Sequence, residues 1–249
     1  MKYFLLLFVL LNTLLSADEK QTLTIGLGPY MQSQPYKGVD SKKIVSPVFF
    51  YDNSLIYIRW TRVGVYFLGK KTEAFSWGFS LTAQPLTNGY LASDSKYLKG
   101  MQDKQNSWEG GLAFSASWDK AYVEMIYLLD LLNKSNASHT KIELGYRLKY
   151  PSISFYPSIV AIYQSADFLN YYYGVSKQES SSSLYDVYTP KADFKFAVQS
   201  YIRYPLTEDL SAFFNAKVNI LSKEAKHSPL TNKDYYYSGI ASLIYTFDF

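Results

Sequence analysis

The sequence predicts an all-β protein: a transmembrane, antiparallel, up-and-down β-barrel of about twelve strands that follows a cleaved signal peptide. Three observations predict this fold. The chain ends in a strand with one apolar face, its composition is unusually rich in tyrosine and phenylalanine, and its connections alternate between short and long. The final strand alone would also fit a soluble β-sandwich, so the other two observations are needed to favour the barrel.

The last fifteen residues, 235–249, alternate with a period of two. Every second residue from Gly239 to Phe249 is apolar or small, whereas the opposite face is polar except for Ile240 and Ile244. A lipid-facing barrel strand needs this pattern over about ten residues. Tyr245, Phe247 and Phe249 also resemble the terminal signature that the barrel-insertion machinery reads in bacterial outer-membrane proteins.

Residues 1–17 have the features of a secretory signal peptide. Lys2 precedes a short apolar run, and the small residue Ala17 precedes the charged residues that begin at Asp18. The apolar run is too short for a spanning helix, which needs about 20 residues. We therefore expect residues 18–249 to form one outer-membrane barrel domain, with no linker that would divide it.

The composition of the chain excludes several classes of protein. The 25 tyrosines and 16 phenylalanines, with a mean hydropathy of −0.13, are typical of aromatic girdles combined with a polar interior. The net charge of +4 is spread along the chain and does not indicate a nucleic-acid partner. Because cysteine is absent, the chain has no disulfide and no thiolate nucleophile or metal ligand.

Twelve segments of the chain have a strand pattern, and the connections between them indicate which end of the barrel faces outward. If the N-terminus lies in the periplasm, every second connection should be a short periplasmic turn. Only the turn at Thr61-Arg62 breaks this alternation, and residues 55–68 could be one strand instead of two, which leaves ten strands as a fallback. The predicted strands are 23–31, 44–51, 55–60, 63–68, 73–81, 108–118, 122–130, 138–149, 153–163, 191–204, 210–220 and 235–249.

Charged and polar residues opposite the apolar strand faces are expected to line the lumen. Their mixed signs predict a lining of salt bridges that obstructs the interior, with a selective pore as the alternative. The candidates are Glu124, His139, Lys141, Glu143, Arg147, Asp193, Lys195, Gln199, Arg203 and Lys217.

The sequence does not indicate an enzyme, a metal site or a cofactor. The only histidines are His139 and His227. Ser138 precedes His139 on the same strand, so the two side chains point to opposite faces, and His227 lies in a loop. No spacing of ligands for a metal ion is present.

The long loop 167–190 is rich in tyrosine. One interpretation is a loop that folds over the barrel mouth, and the other is a contact surface or plug, since tyrosines are enriched at interfaces. The candidates for the contact surface are Tyr171, Tyr172, Tyr173, Gly174, Val175, Tyr185 and Tyr188.

Two segments of the chain match a family pattern. Residues 172–176, YYGVS, with Tyr185 after them, are similar to the Y-[FY]-G-V-S … Y segment of the MipA/OmpV family, the MltA-interacting outer-membrane proteins. The opening of the chain, from Gly26 and Gly28 to residues 35–40, PYKGVD, is similar to its G-x-G … P-x-Y-x-G-S-D pattern. The resemblance extends over essentially the whole of residues 18–249.

The resemblance implies a non-enzymatic scaffold in the bacterial outer membrane, with lipid around it. It further implies that a lytic transglycosylase and a murein synthase are partners, and it supplies no catalytic residues. Other members of the family are regarded as porins or adhesins. A small-solute channel, or an adhesin that binds through residues 84–106 and 167–190, is therefore the alternative.

Overall fold

The computed structural model describes residues 21–249, so the predicted signal peptide lies outside the described residues. Thirteen strand segments form one antiparallel sheet. They are β1 (Thr22–Gln32), β2 (Lys42–Asp52), β3 (Ile56–Arg59), β4 (Arg62–Lys71), β5 (Phe75–Leu86), β6 (Ser107–Trp118), β7 (Ala121–Asp130), β8 (Ser138–Tyr146), β9 (Leu148–Tyr150), β10 (Ile153–Gln164), β11 (Asp193–Pro205), β12 (Leu210–Ile220) and β13 (Tyr235–Asp248).

The sheet closes into a barrel of twelve strands. β1 pairs with β13, from Thr22 opposite Asp248 to Gln32 opposite Ser238, and every strand has a neighbour on each side. β8 and β9 are two parts of one strand, because both pair with β10 in a single register that Tyr146 and Arg147 interrupt. The predicted fold class and strand number are therefore confirmed, and closure leaves no sheet edge except beside the short strand β3.

Residues 55–68 form two strands, β3 and β4, so the fallback of ten strands is not needed. They meet at a tight turn in which Trp60 has a φ of 59°. β3 has only four residues and pairs with β2 only through residues 50–52 of that strand. In the upper part of the wall the β3–β4 hairpin thus leaves a notch beside β2, and Lys42 Nζ reaches across it to the carbonyl oxygens of Thr87 and Gly89, at 3.0 Å each.

The outward side chains form the apolar surface that faces lipid. On β13, Leu243, Tyr245 and Phe247 are exposed, whereas the alternate residues Ser242 and Ile244 are buried in the interior. Trp108 and Trp118 bound the outward face of β6 and are also exposed. This alternation is the one predicted from the final strand, and recognition of its last aromatic residues by the insertion machinery stays a prediction.

The connections at the two ends of the barrel differ in length. The end that carries Thr22 and Asp248 has short turns, and the opposite end has the long connections, which places the latter outside the cell. Three short helices lie in these long connections: α1 (Ala166–Tyr173), α2 (Lys177–Ser182) and α3 (Lys223–His227). No helix within residues 21–249 is long and apolar enough to cross a membrane.

A serine begins each of the three helices. Ser165, Ser176 and Ser222 have extended backbone angles, and each side-chain hydroxyl accepts a hydrogen bond from the backbone N–H three residues later. Such N-caps satisfy a donor that the first helical turn leaves unpaired. The chain therefore leaves the barrel strand and turns back over the mouth within a few residues.

Candidate functional site

The inward residues of the strands surround a cavity of about 1150 Å³ that runs along the barrel axis, which we call the chamber. Its wall extends from Thr22 and Lys70 at the periplasmic end to Phe168 and Tyr236 below the extracellular loops. Alternation along each strand places polar residues on the inside. The chamber is the candidate functional site.

Glu124 is the centre of an ionic network in the chamber wall. Its carboxylate accepts hydrogen bonds from Arg59 (3.0 Å) and Arg62 and lies 3.8 Å from Lys141 Nζ. The neighbouring Glu143 binds Lys141 at 2.7 Å. Both carboxylates are largely shielded from water, so these pairs also satisfy the charges that the fold buries.

Glu143 also accepts hydrogen bonds from neutral groups. Gln199 donates at 2.7 Å, the Ser158 hydroxyl at 2.8 Å and the Tyr122 hydroxyl at 3.2 Å. These donors come from β7, β10 and β11, so one carboxylate joins three strands. The network holds that part of the wall in one arrangement.

The structure brings together most of the residues predicted to line the lumen. The chamber wall contains Glu124, His139, Lys141, Glu143, Arg147, Lys195, Gln199, Arg203 and Lys217. Asp193 requires a correction, because it lies above the chamber at the start of β11, where its carboxylate accepts a hydrogen bond from the backbone N–H of Glu224 at 3.0 Å.

Six charged residues of the wall were not predicted from the sequence: Asp52, Arg59, Arg62, Lys70, Lys71 and Glu109. Arg59 and Arg62 flank the β3–β4 turn, where the strands are too short for alternation to define a face. Glu109 is buried, and its carboxylate lies 3.0 Å from His139 Nδ1. Glu109 follows Trp108 on β6, so its side chain points to the face opposite the lipid-facing tryptophan. This alternation could have identified it.

An apolar and aromatic cluster covers another part of the wall and was not predicted. Val48, Phe213, Ile240 and Ile244 are buried there, and Tyr30, Phe50, Trp60 and Tyr201 pack against them while remaining partly exposed. The Trp60 indole stands edge-on to Tyr30, with 5.6 Å between ring centres, and its N–H donates to Ser46 Oγ. The tip of the β3–β4 hairpin therefore folds into the barrel.

The extracellular connections pack into a compact cover, which we call the lid. Its core contains residues from five connections: Tyr36, Tyr90, Leu98, Met101, Ala137, Phe168, Leu169, Tyr172, Tyr173, Val175, Leu221, Ala225 and Leu230. Leu169 and Tyr172 are fully buried. Burial raises the pKa of the Tyr36 and Tyr173 phenols well above the ordinary value, and neighbouring tyrosines raise it further, so both stay neutral.

The lid corrects the prediction of a tyrosine contact surface. Tyr172, Tyr173, Gly174 and Val175 are buried, and Tyr171, Tyr185 and Tyr188 are partly buried against the lid core. They bind one another and the other loops rather than presenting a free surface. The alternative interpretation, a loop folded over the barrel mouth, describes the structure.

One buried ion pair fastens two connections of the lid. Lys104 Nζ lies 2.8 Å from Glu179 Oε1, and the other oxygen of Glu179 accepts a hydrogen bond from the backbone N–H of Ser176 at the start of α2. Burial alone would raise the pKa of the Glu179 carboxyl, but the hydrogen bonds from Lys104 and Ser176 bring it below the ordinary value.

We expect acid, or the substitution Glu179→Gln, to loosen the lid. Because the folded-state pKa of Glu179 is lowered, its stabilising effect is present at neutral pH and is lost as the pH falls through that pKa. Hydrogen exchange of residues 92–105 and 177–182, corrected for the intrinsic pH effect, should rise in both cases. Asp186→Asn, an exposed change in the same loop, is the control, and equal protection in Glu179→Gln and the unsubstituted protein would contradict the expectation.

The chamber is closed on the outside and open to the periplasm. At the upper end its lining residues Gln164, Phe168 and Tyr236 are buried beneath the lid. At the lower end Thr22, Lys70 and Arg147 line the same cavity and are exposed to solvent. A solute in the chamber therefore exchanges with the periplasm.

The expected obstruction of the lumen has a different cause from the one predicted. The salt bridges lie along the wall and leave the chamber hollow. The loops close it instead, through a lid core that has no periodic signal in the sequence. Residues 21–249 contain no group of three or more His, Cys, Asp or Glu side chains that could hold a metal ion.

Comparison with known proteins identifies the family. The family model described as MltA-interacting protein MipA matches residues 25–247, nearly the whole described chain. This chain belongs to the MipA family. The resemblance predicted from residues 172–176 and from the opening of the chain is thereby confirmed, and so is its place in the outer membrane.

Individual relatives have low identity over almost their full length. The MltA-interacting protein of Escherichia coli K12 is 25% identical over 94% of this chain and 92% of its own. The outer membrane protein YiaT of the same strain is 21% identical over 90% and 91%. Among solved structures, the COG4313 outer membrane channel of Pseudomonas putida F1 covers 93% of this chain and 97% of its own, with 8% identity and a TM-score of 0.46.

Proposed function

We propose that this MipA-family barrel is a non-enzymatic scaffold that holds murein-cleaving and murein-synthesising enzymes at its periplasmic face. The observation that carries the proposal is the lid, because a barrel closed on the outside offers its open end and its short turns to the periplasm. The name of the relative in Escherichia coli, MltA-interacting protein, supplies the class of partner. A lytic transglycosylase and a murein synthase are the enzymes that we expect to bind.

The periplasmic turns are the surface available for such contacts. Glu73, Lys120 and Glu208 lie in three of these turns, 72–74, 119–120 and 206–209, and all three are exposed. Charged rim residues steer association and fix orientation more than they supply affinity. A partner should therefore be sensitive to the sign of these charges.

Reversing these three charges is expected to reduce retention of the partner enzymes. We expect the triple variant Glu73→Lys, Lys120→Glu and Glu208→Lys, immobilised after refolding, to retain a purified MltA-type transglycosylase about tenfold less well, since tenfold corresponds to about 1.4 kcal/mol. The control reverses Lys96 and Lys99 in the extracellular connection to glutamate and should retain the enzyme normally. Absence of retention by the unsubstituted barrel would overturn the scaffold.

A small-solute channel is the second candidate. The observation that favours it is the hollow chamber of about 1150 Å³, which a change of the lid would connect to the outside. Stable conductance steps from the unsubstituted, folded barrel in a planar bilayer would move the channel to first place.

A further inference from the structure

The chamber carries an excess of positive charge. Within the described residues its wall contains nine Lys and Arg side chains and four carboxylates, an excess of five positive charges. The cations are Arg59, Arg62, Lys70, Lys71, Lys141, Arg147, Lys195, Arg203 and Lys217, and the carboxylates are Asp52, Glu109, Glu124 and Glu143. A concave wall with an excess of one sign concentrates solutes of the other sign.

Two lysines below the lid lack an acidic partner. Within residues 21–249, Lys217 makes neither a hydrogen bond nor an ion pair, and the charges that act on it most are the like charges of Lys141 and Lys195. Lys195 binds only a neutral group, the Tyr236 hydroxyl, at 2.9 Å, and its ammonium lies 5.4 Å from the centre of that ring. Because ammonium groups held together in a shielded space are unfavourable, an anion would stabilise this arrangement.

The aromatic cluster of the chamber shares strands with these lysines, since Tyr201 lies on β11 with Lys195 and Phe213 lies on β12 with Lys217. Tyr30, Phe50, Trp60 and Tyr201 are partly exposed towards the cavity, while the aliphatic residues behind them are buried. Pockets that combine aromatic walls with a few polar groups orient small molecules that have both an apolar face and polar substituents. The charged and the aromatic walls together suit an anion that carries a ring.

The volume of the chamber limits the size of a ligand, and the position of its open end limits where the ligand can come from. The cavity of about 1150 Å³ is slightly larger than the range of roughly 300–1000 Å³ that is usual for small-molecule pockets. Its open end lies in the periplasm, where Lys70, Arg147 and Arg203 line the entrance. These features would suit a periplasmic molecule of a few hundred daltons that a positive entrance attracts.

We propose that the chamber binds an anionic sugar of the muramic-acid type, with its carboxylate at Lys217 and Lys195 and its ring against the aromatic wall. The choice of sugar rests on the proposed function, which places the barrel beside murein enzymes. The site itself rests on the charges and rings of the chamber.

Calorimetric titration of the full barrel, refolded in a neutral detergent, tests this proposal with a matched pair of sugars. N-acetylmuramic acid carries a lactyl carboxylate, and N-acetylglucosamine has the same ring without it. We expect binding of the first and none of the second. Lys217→Gln, which removes no hydrogen bond or ion pair of the described protein, should weaken binding about tenfold, as expected for loss of a charge-assisted contact of about 1.5 kcal/mol.

Two controls separate the site from general charge effects. Lys120→Gln removes one positive charge from an exposed turn outside the chamber and should bind N-acetylmuramic acid normally. Trp60→Leu should weaken binding while Lys217 is intact, because it removes one aromatic ring. A heat-dependent gel shift shows that each variant is folded.

Three results would overturn the proposal: no binding of N-acetylmuramic acid, equal binding of both sugars, or equal binding of inorganic phosphate, which would reduce the site to a general anion site. The experiments can overturn the scaffold proposal and the ligand proposal separately. Retention of the transglycosylase without sugar binding overturns only the ligand, and sugar binding without retention overturns only the scaffold.

Discussion

Replacing residues 166–191 by a four-residue Gly/Asn turn is expected to convert a silent barrel into one with stable conductance steps. The segment contains α1 and α2 and supplies more residues of the lid core than any other connection, including the fully buried Leu169 and Tyr172. Its removal leaves the other loops without the core that holds them over the mouth. The chamber below would then connect the two sides of the membrane.

The barrel itself should survive this deletion. Gln164 and Asp193 are directly paired at the ends of β10 and β11, so a short hairpin can join them. Planar-bilayer recording on refolded protein measures the effect. The control exchanges the exposed Leu184 and Val187 for serine, which changes the same loop outside its core and should leave the barrel silent. A silent deletion variant would show that the lid does not close the chamber.

The substitution Glu124→Gln is expected to cause the largest loss of barrel stability. The carboxylate is shared by Arg59, Arg62 and Lys141, and its side chain is only 11% exposed. Removing one partner of a buried ionic network leaves the other charges uncompensated and costs about 3–5 kcal/mol. The free energy of unfolding in urea, measured in lipid vesicles, should fall by this order.

A double variant distinguishes the ionic network from general packing at this position. Arg62→Met with Glu124→Met removes one charge of each sign and should be destabilised less than Glu124→Met alone. Glu73→Gln, in an exposed turn, is the control and should be close to the unsubstituted protein. A loss below about 0.5 kcal/mol for Glu124→Gln would contradict the central role of this carboxylate.

The strands could be predicted from the sequence because a barrel wall has one apolar and one polar face. Alternation placed Lys141 and Glu143 on the inside of β8, and the structure has them there. The same signal is absent where a strand is too short, as at Arg59, or where a strand ends in a loop. Asp193 has the inward register opposite Gln164, but the backbone of α3 binds its carboxylate above the chamber.

The lid could not be predicted in the same way, because its core is assembled from residues far apart in the sequence. Tyr36, Tyr90 and Tyr173 come from three different connections, yet the ring of Tyr36 lies 4.6 Å from that of Tyr90 and 5.7 Å from that of Tyr173, between centres. No local period marks such residues as buried. A tyrosine-rich loop is equally compatible with an exposed contact surface and with a packed cover. The two interpretations can be distinguished only in the folded structure, where the five connections pack against one another.

The accessibility of a single engineered cysteine tests most directly whether the chamber is closed outside and open to the periplasm. The natural sequence contains no cysteine, so Ser76→Cys in the lower chamber and Leu184→Cys on the lid surface each provide one thiol. A small charged thiol reagent is added to cells without general porins, before and after the outer membrane is permeabilised. We predict labelling of Leu184→Cys in both states and of Ser76→Cys only after permeabilisation. Labelling of Ser76→Cys in intact cells would contradict a chamber that is closed by the lid.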